Sequence, residues 1–469
     1  MIVDLVGREN SEGITPWVAA LGFAVAFGAV LYIWGSRITI FGDMYALDPF
    51  SLFFKLLASM AGLIVTLVSI DYLKDRTNAK GEFFSLLTFS VLAMMMMASS
   101  SSLLMLYLSI EFLSYMSYLL AGFLRTDKKS NEAAIKYFLY GAITSAVMLY
   151  GLSLLYGVTG SLTLTDVAKV LTGTVDNSIR TLGLVSTALV IVGLGFKISL
   201  VPFHQWAPDT YEGAPTPVTA FLSVGPKAMG FAVLFRFLLT AIPSLPAYHE
   251  QWTNLLSVIS ILTMTVGNLI ALRQTNVKRM LAYSSIAQAG YILVGLVAVN
   301  LAGNSPFSGL NGVMIYLFAY LFTNLGAFIC VIAVENATGI VTIEDYAGLV
   351  KRAPLVAALF IVFFLSLAGI PPTAGFIGKF FVFGAALREG YIVLAAIGVV
   401  NSVISVFYYF SVVRAAFFME PKDHTPIKVS PLVTAMLVVT AVMVFAIALY
   451  PQPFFNLAQQ SLVMLGAGK

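Results

Sequence analysis

Four ionisable side chains stand inside long apolar runs: Glu111 in LLMLYLSIEFLSYMSYLLAGF, Lys197 in STALVIVGLGFKISLVPF, Lys227 in VTAFLSVGPKAMGFAVLF and Lys379 in LAGIPPTAGFIGKFFVFGA. A charge near the middle of a membrane helix costs about 2.5 to 3.5 kcal/mol even on a lenient insertion scale, so each needs a reason. Burial penalises whichever form of such a group is charged, and a neighbouring opposite charge restores it. Amines and carboxylates held at that depth can therefore load and release protons.

Each residue also has a plainer reading. Lys197 lies midway along its run, just before Pro202, where snorkelling to an interface fits poorly. Lys227 follows Gly225 and Pro226, and could simply bond the carbonyls that the proline frees. Glu111, with Ser109, Ser114 and Ser117 nearby, could form a static ion pair that fixes helix packing. Lys379 follows Pro371 and Pro372 closer to a helix end, so snorkelling is more credible there. By its place in the order of segments it reads as the counterpart of Lys197. His204 stands at the first proline break, where the ordinary titration range of histidine suits a proton relay and a hydrogen-bond anchor is an equal alternative. Lys55, Arg236 and Lys136 are read as reaching an interface, and Lys278 and Arg279 as ordinary loop charges. Hydroxyls and amides at membrane depth, among them Ser145, Asn268, Ser284, Ser285, Gln288, Tyr316, Asn401 and Ser402, must each bond a neighbouring helix or water.

The elements that position these groups are membrane helices. The 469 residues are 59% hydrophobic and only 10% charged, which excludes soluble and disordered classes together. A crossing of the hydrocarbon needs about 20 apolar residues, and the chain reads as all-α with about thirteen such runs: 16–35, 49–71, 82–99, 103–124, 134–157, 181–211, 215–241, 253–272, 279–300, 311–334, 354–386, 391–418 and 431–450. Two runs are too long for one straight helix and contain proline, 181–211 with Pro202 and Pro208 and 354–386 with Pro371 and Pro372. Both are expected to be broken helices lining polar cavities. Segments 3–7 and 8–12 each hold five crossings with the broken helix fourth, so they read as two inverted repeats. The chain divides accordingly into two N-terminal helices (1–81), a first repeat (82–241), a second (253–418) and a C-terminal helix (419–469).

Lysines and arginines set the orientation. One set of loops carries Lys74, Arg76, Lys80, Arg125, Lys128, Lys129, Arg273, Lys278, Arg279, Lys351, Arg352, Arg414, Lys422 and Lys428; the opposite set carries only Arg37, Lys169, Arg180, Arg388 and Lys469. The richer set is expected in the cytoplasm, with the N-terminus inside and the C-terminus outside. The opening residues are polar and do not read as a signal peptide.

Several chemistries find no residues here. The single cysteine, Cys330, lies in an apolar run and has no partner for a disulfide or metal. No phosphate-binding glycine loop, haem-like histidine pair or metal-ligand cluster is present in the sequence, and the MMMM quartet at 94–97 reads as packing. No cofactor is expected in this chain, and the modest net charge of +4 does not point to nucleic acid.

The stretch GFKISLVPFHQWAPDTYEGAPTPVTAFLSVGPKAMG resembles the antiporter-like proton-pumping subunits of respiratory complex I, and the N-type group in particular. The resemblance extends through SNEAAIKYFLYGAITSAVMLYGLSLLYG, NLIALRQTNVKRMLAYSSIAQAGY and SLAGIPPTAGFIGKFFVF, covering nearly all of the chain from about residue 40. It implies a membrane subunit of an NADH:quinone oxidoreductase that translocates protons without a redox centre of its own. It implies too that Glu111, Lys197, Lys227 and Lys379 form the proton route, and that neighbouring membrane subunits and the lipid bilayer are the partners. The polar residues 1–15 leave one helix fewer than bacterial members commonly have. A subunit of a multi-component Na⁺/H⁺ antiporter, which shares the fold, and a purely structural subunit remain as alternatives.

Overall fold

The computed structural model describes residues 13–173, 176–242, 246–299, 308–339, 341–421 and 423–462. Lys422, Lys469 and the polar residues 1–12 lie outside them. Several of the helices begin where a short polar side chain holds otherwise unpaired backbone donors, which in hydrocarbon have no water to turn to. Asp48 accepts from Ser51 N–H at 2.8 Å, Ser102 from Met105 N–H at 3.1 Å, and Asn276 from Arg279 N–H at 3.1 Å.

The order is α1 (Thr15–Tyr32), a hairpin of β1 (Ile38–Ile40) and β2 (Tyr45–Leu47), α2 (Pro49–Leu73), α3 (Lys80–Ala98), α4 (Leu103–Ala121), α5 (Lys128–Thr159), α6 (Leu164–Gly173), α7 (Asn177–Ile198), α8 (Trp206–Gly213) and α9 (Thr216–Arg236). A π-helical turn, Phe237–Ala241, prolongs α9. There follow α10 (Pro246–Ala271), α11 (Val277–Val297), α12 (Gly309–Thr338), α13 (Leu349–Arg352), α14 (Pro354–Ala368), α15 (Ala374–Arg388), α16 (Ile392–Phe418), α17 (Pro431–Leu449) and α18 (Gln452–Gln460). Among the described residues, 12 helices are long and apolar enough to span a bilayer. The α14–α15 pair supplies the remaining crossing as two short halves. The hairpin and the short helices α6, α13 and α18 are additions to the sequence-based expectation; none is long enough to produce a membrane-length apolar run.

α9 is buried along its whole length, α11 nearly so and α12 from Asn311 to Val334, whereas α1, α5 and α17 show most of their surface. What the outer helices expose is apolar, such as Val25, Ile143 and Val442, as suits a surface solvated by acyl chains.

Both expected breaks are present. α7 stops at Ile198 and α8 starts at Trp206; α14 stops at Ala368 and α15 starts at Ala374. Each first half ends on a left-handed residue, Ser199 (φ 60) and Gly369 (φ 84). In each, the next N–H folds back on the helix, Leu200 to Gly195 O at 2.7 Å and Ile370 to Leu365 O at 2.9 Å. Pro208 is no part of the first break, because it sits in the opening turn of α8, where proline is tolerated.

A second pair of details matches between the two halves of the chain. Leu103 N–H bonds Leu162 O at 2.8 Å and Leu164 N–H bonds Ser101 O at 3.2 Å; Val277 N–H bonds Val341 O at 2.8 Å and Ile343 N–H bonds Thr275 O at 2.8 Å. Both long helices that precede these returns, α5 and α12, end on a left-handed glycine, Gly160 or Gly339.

Candidate functional site

The breaks determine where the buried cations sit. A helix terminus leaves carbonyls without intrahelical partners and carries partial negative charge, so it attracts an ammonium. Lys379, 4% exposed, reaches back from α15 to the end of α14, donating to Leu367 O at 3.0 Å and Ala368 O at 2.8 Å. It also donates to Ser402 Oγ on α16 at 2.7 Å and lies 4.5 Å from the centre of the Tyr291 ring. It does not snorkel.

Lys197 occupies the last turn of α7, 1% exposed, and donates to Ser114 Oγ on α4 at 3.0 Å. Glu111 precedes Ser114 by one helical turn and accepts from Ser145 Oγ on α5. The carboxylate and ammonium thus meet through one turn of α4, with no direct ion pair between them among the described residues. Lys197 precedes its break and Lys379 follows its own, so the two are not register equivalents as the order of segments implied. A single proline-marked run does not say which half-helix bears the lysine.

Lys227 sits at the centre of α9, 2% exposed. Its ammonium turns away from its own helix and bonds both the carbonyl (3.1 Å) and the hydroxyl of Ser285 on α11. The carbonyls loosened by Pro226 are not its partners. Ser285 stands nine residues after the N-cap of α11, as Glu111 stands nine after that of α4. Lys197 and Lys227 come from helices in close contact: a Cβ on Gly230 of α9 would lie 2.3 Å from Ile198 Cγ2. His204 lies in the first break, partly buried, and its Nδ1 has no hydrogen-bond partner.

Between Lys227 and Lys379 lies a set of polar contacts in which Ser285 and Ser284 are linked as neighbours along α11 rather than by a hydrogen bond. Ser284, beside Ser285, shares a 2.5 Å hydrogen bond with Tyr409. Gln288, one turn on, donates to Tyr409 Oη at 3.4 Å and to Leu367 O at 2.9 Å, and accepts from Tyr316. Leu367 O is the same carbonyl that Lys379 holds. Beyond it, Asn268 donates to Tyr291 Oη at 2.8 Å and to Asn401 Oδ1 at 3.2 Å, and accepts from Tyr408 at 3.0 Å.

Two charges read as interfacial, Arg236 and Lys55, and one read as an ordinary loop charge, Lys278, are instead enclosed in protein. Arg236 (2% exposed) makes a two-pronged ion pair with Asp48, both contacts at 2.9 Å. Lys55 donates to Tyr45 Oη at 2.8 Å under the hairpin. Lys278 is also buried, and donates to Ala214 O at 2.8 Å. Their nearness to helix ends made them look exposed, yet the hairpin and the α8–α9 turn, neither legible as an apolar run, cover them. Lys136 does sit at the edge, paired with Glu132 at 2.6 Å and Asp209 at 2.7 Å. Cys330 is fully buried among apolar side chains. Among the described residues no group of three His, Cys, Asp or Glu is placed to hold a metal.

Lysines buried on two broken helices and on α9 between them, in an apolar bundle, define a polytopic membrane protein with ionisable groups held inside its core. The family profile described as "NADH:quinone oxidoreductase/Mrp antiporter, TM" matches residues 100–405. An NADH-quinone oxidoreductase subunit N from Desulforamulus reducens is 43% identical over 463 residues, covering 98% of this chain and 94% of the relative. The chain belongs to the NADH:quinone oxidoreductase/Mrp antiporter family, within its N-subunit group. A chain of respiratory complex I from Thermus thermophilus superposes with a TM-score of 0.79 at 34% identity, covering 96% of this chain and 95% of that one. A chain of the Mrp complex from Dietzia shares the fold, with a TM-score of 0.85 at 21% identity over 96% of this chain and 92% of that one.

Proposed function

We propose that this chain is a proton-translocating membrane-arm subunit of an NADH:quinone oxidoreductase, driven by redox chemistry in other subunits, with Glu111, Lys197, His204, Lys227 and Lys379 as its proton-handling groups. The observation that carries the reading is the line of buried ammonium groups joined by hydroxyls, amides and break-point carbonyls: Lys197 on Ser114, Lys227 on Ser285, and Lys379 on the carbonyl it shares with Gln288. A tenfold difference in proton affinity between two groups corresponds to about 1.4 kcal/mol. Small changes in the spacing or hydration of Glu111 and Lys197 therefore suffice to move a proton towards Lys227, and onward through Ser284, Tyr409 and Gln288 to Lys379. The protein holds the acceptors in place; the driving step lies elsewhere.

The matched returns at Leu103–Leu162 and Val277–Val341, and the matched left-handed caps, support two five-segment repeats. Five crossings each make them inverted. The basic loops support a cytoplasmic N-terminus and an external C-terminus in a cell membrane. The partners are neighbouring antiporter-like and small membrane subunits of the same complex. The N-group relatives favour this reading over a Na⁺/H⁺ antiporter, for which the Dietzia likeness supports the fold alone.

Lys197→Ala in the assembled complex is expected to abolish this subunit's contribution to redox-coupled pumping in proteoliposomes while quinone reduction with an uncoupler persists. Normal pumping by the assembled variant would refute the assignment.

A further inference from the structure

The route above starts from groups deep in the bundle, and Lys227 needs a supply from one face. Lys278 stands on that supply line. It lies one residue inside α11, 4% exposed, seven residues before Ser285. That spacing is two helical turns, so both side chains emerge on one face of α11, about 10.5 Å apart along the axis. Ser285 is the residue on which Lys227 rests.

Inward of Lys278, the hydroxyls of Tyr211 and Tyr320 both face Ser285. The Lys227 ammonium lies 5.8 Å from the Tyr211 ring. Outward, the charged groups facing Lys278 are Glu335, Glu212, Asp127 and Lys129. Glu335 accepts from Tyr72 at 3.1 Å and from Thr216, and Glu212 is paired with Arg279 and Lys129, each at 3.2 Å. A cleft of about 120 Å³ lies beside Glu212 and Asp209.

Among the described residues Lys278 bonds a single acceptor, Ala214 O, at the turn joining α8 to α9. An ammonium has three donors, so two remain for exchange with water or with the carboxylates. A lysine needed only as a fastener at such a depth would be expected to have more of its donors held by protein.

We infer that Lys278 is the inlet residue of this subunit: it takes protons from the Glu335–Glu212 rim and delivers them along the α11 face, past Tyr211, to Lys227. The inference rests on the proton-translocating reading. It assigns Lys278 a proton that comes and goes, and so separates a lysine from an arginine, which keeps its charge permanently.

The test uses the assembled complex in proteoliposomes, reading protons translocated per quinone reduced, with uncoupled quinone reduction as the check on assembly. Lys278→Met and Lys278→Arg are expected to lose this subunit's share of the proton yield, and Lys278→His, which can still titrate, to restore part of it. A full yield from the Arg or the Met variant would overturn the inference, since charge or packing alone would then suffice. Failure of the His variant to restore any yield in an assembled complex would overturn it too. Lys197→Ala measured alongside keeps the two claims apart: a full yield there defeats the functional reading itself, whatever Lys278 does.

Discussion

Asp48 does two jobs with one carboxylate. It caps α2 through Ser51 N–H and it neutralises Arg236 at the far end of α9, where neither partner touches solvent. Removing one member of a buried pair strands the other charge, at a cost of about 3 to 5 kcal/mol. Asp48→Ala is therefore expected to lower the amount of assembled subunit sharply. Asp48→Leu combined with Arg236→Met should recover much of it, as read by thermal unfolding of the purified complex. This pair was not legible in the sequence, where Asp48 before Pro49 looks like a local cap and Arg236 like an interfacial charge. The four ionisable groups inside apolar runs are legible in the sequence, Lys379 least so because it lies closer to a helix end. Depth along a helix can be read from a sequence; what covers a helix end depends on contacts between residues 188 positions apart.

At the scale of the elements, the broken helices are the devices that make room for charge. Their existence followed from proline in over-long apolar runs. The choice of half-helix did not, and Lys197 and Lys379 lie on opposite sides of their respective breaks. Gly369 shows how narrow the second break is. Its φ of 84 is a left-handed conformation, and a Cβ there would approach Lys379 Cδ to 2.6 Å. Gly369→Ala is expected to cost about 1 to 2 kcal/mol in backbone conformation alone. It should also push Lys379 off the carbonyls of Leu367 and Ala368. A lowered melting temperature together with a reduced proton yield checks this; an unchanged yield in a destabilised variant would separate the fold from the relay.

Over the whole molecule, the all-α bundle and the order of its crossings were readable because membrane length imposes a run of apolar residues on each. The short hairpin and the helices α6 and α18 impose no such run. Loops that the basic residues place on one side are joined on one side, Arg76 to Asn336 at 2.7 Å, Lys129 to Glu212 at 3.2 Å and Arg352 to Asp423 at 3.2 Å. The polar residues picked out by depth alone, Ser284, Gln288, Tyr316, Asn268 and Asn401, turn out to lie in one connected set. Sequence could name them but not join them, since each link crosses between helices. The central claim is that this set connects Lys227 to Lys379, and Gln288 is the link that touches both the Tyr409 hydroxyl and the Leu367 carbonyl. The most direct measurement is the number of protons translocated per quinone reduced by the assembled Gln288→Leu complex in proteoliposomes. A lowered ratio with uncoupled quinone reduction intact is expected; a ratio equal to that of the unaltered complex would rule out Gln288 as the link.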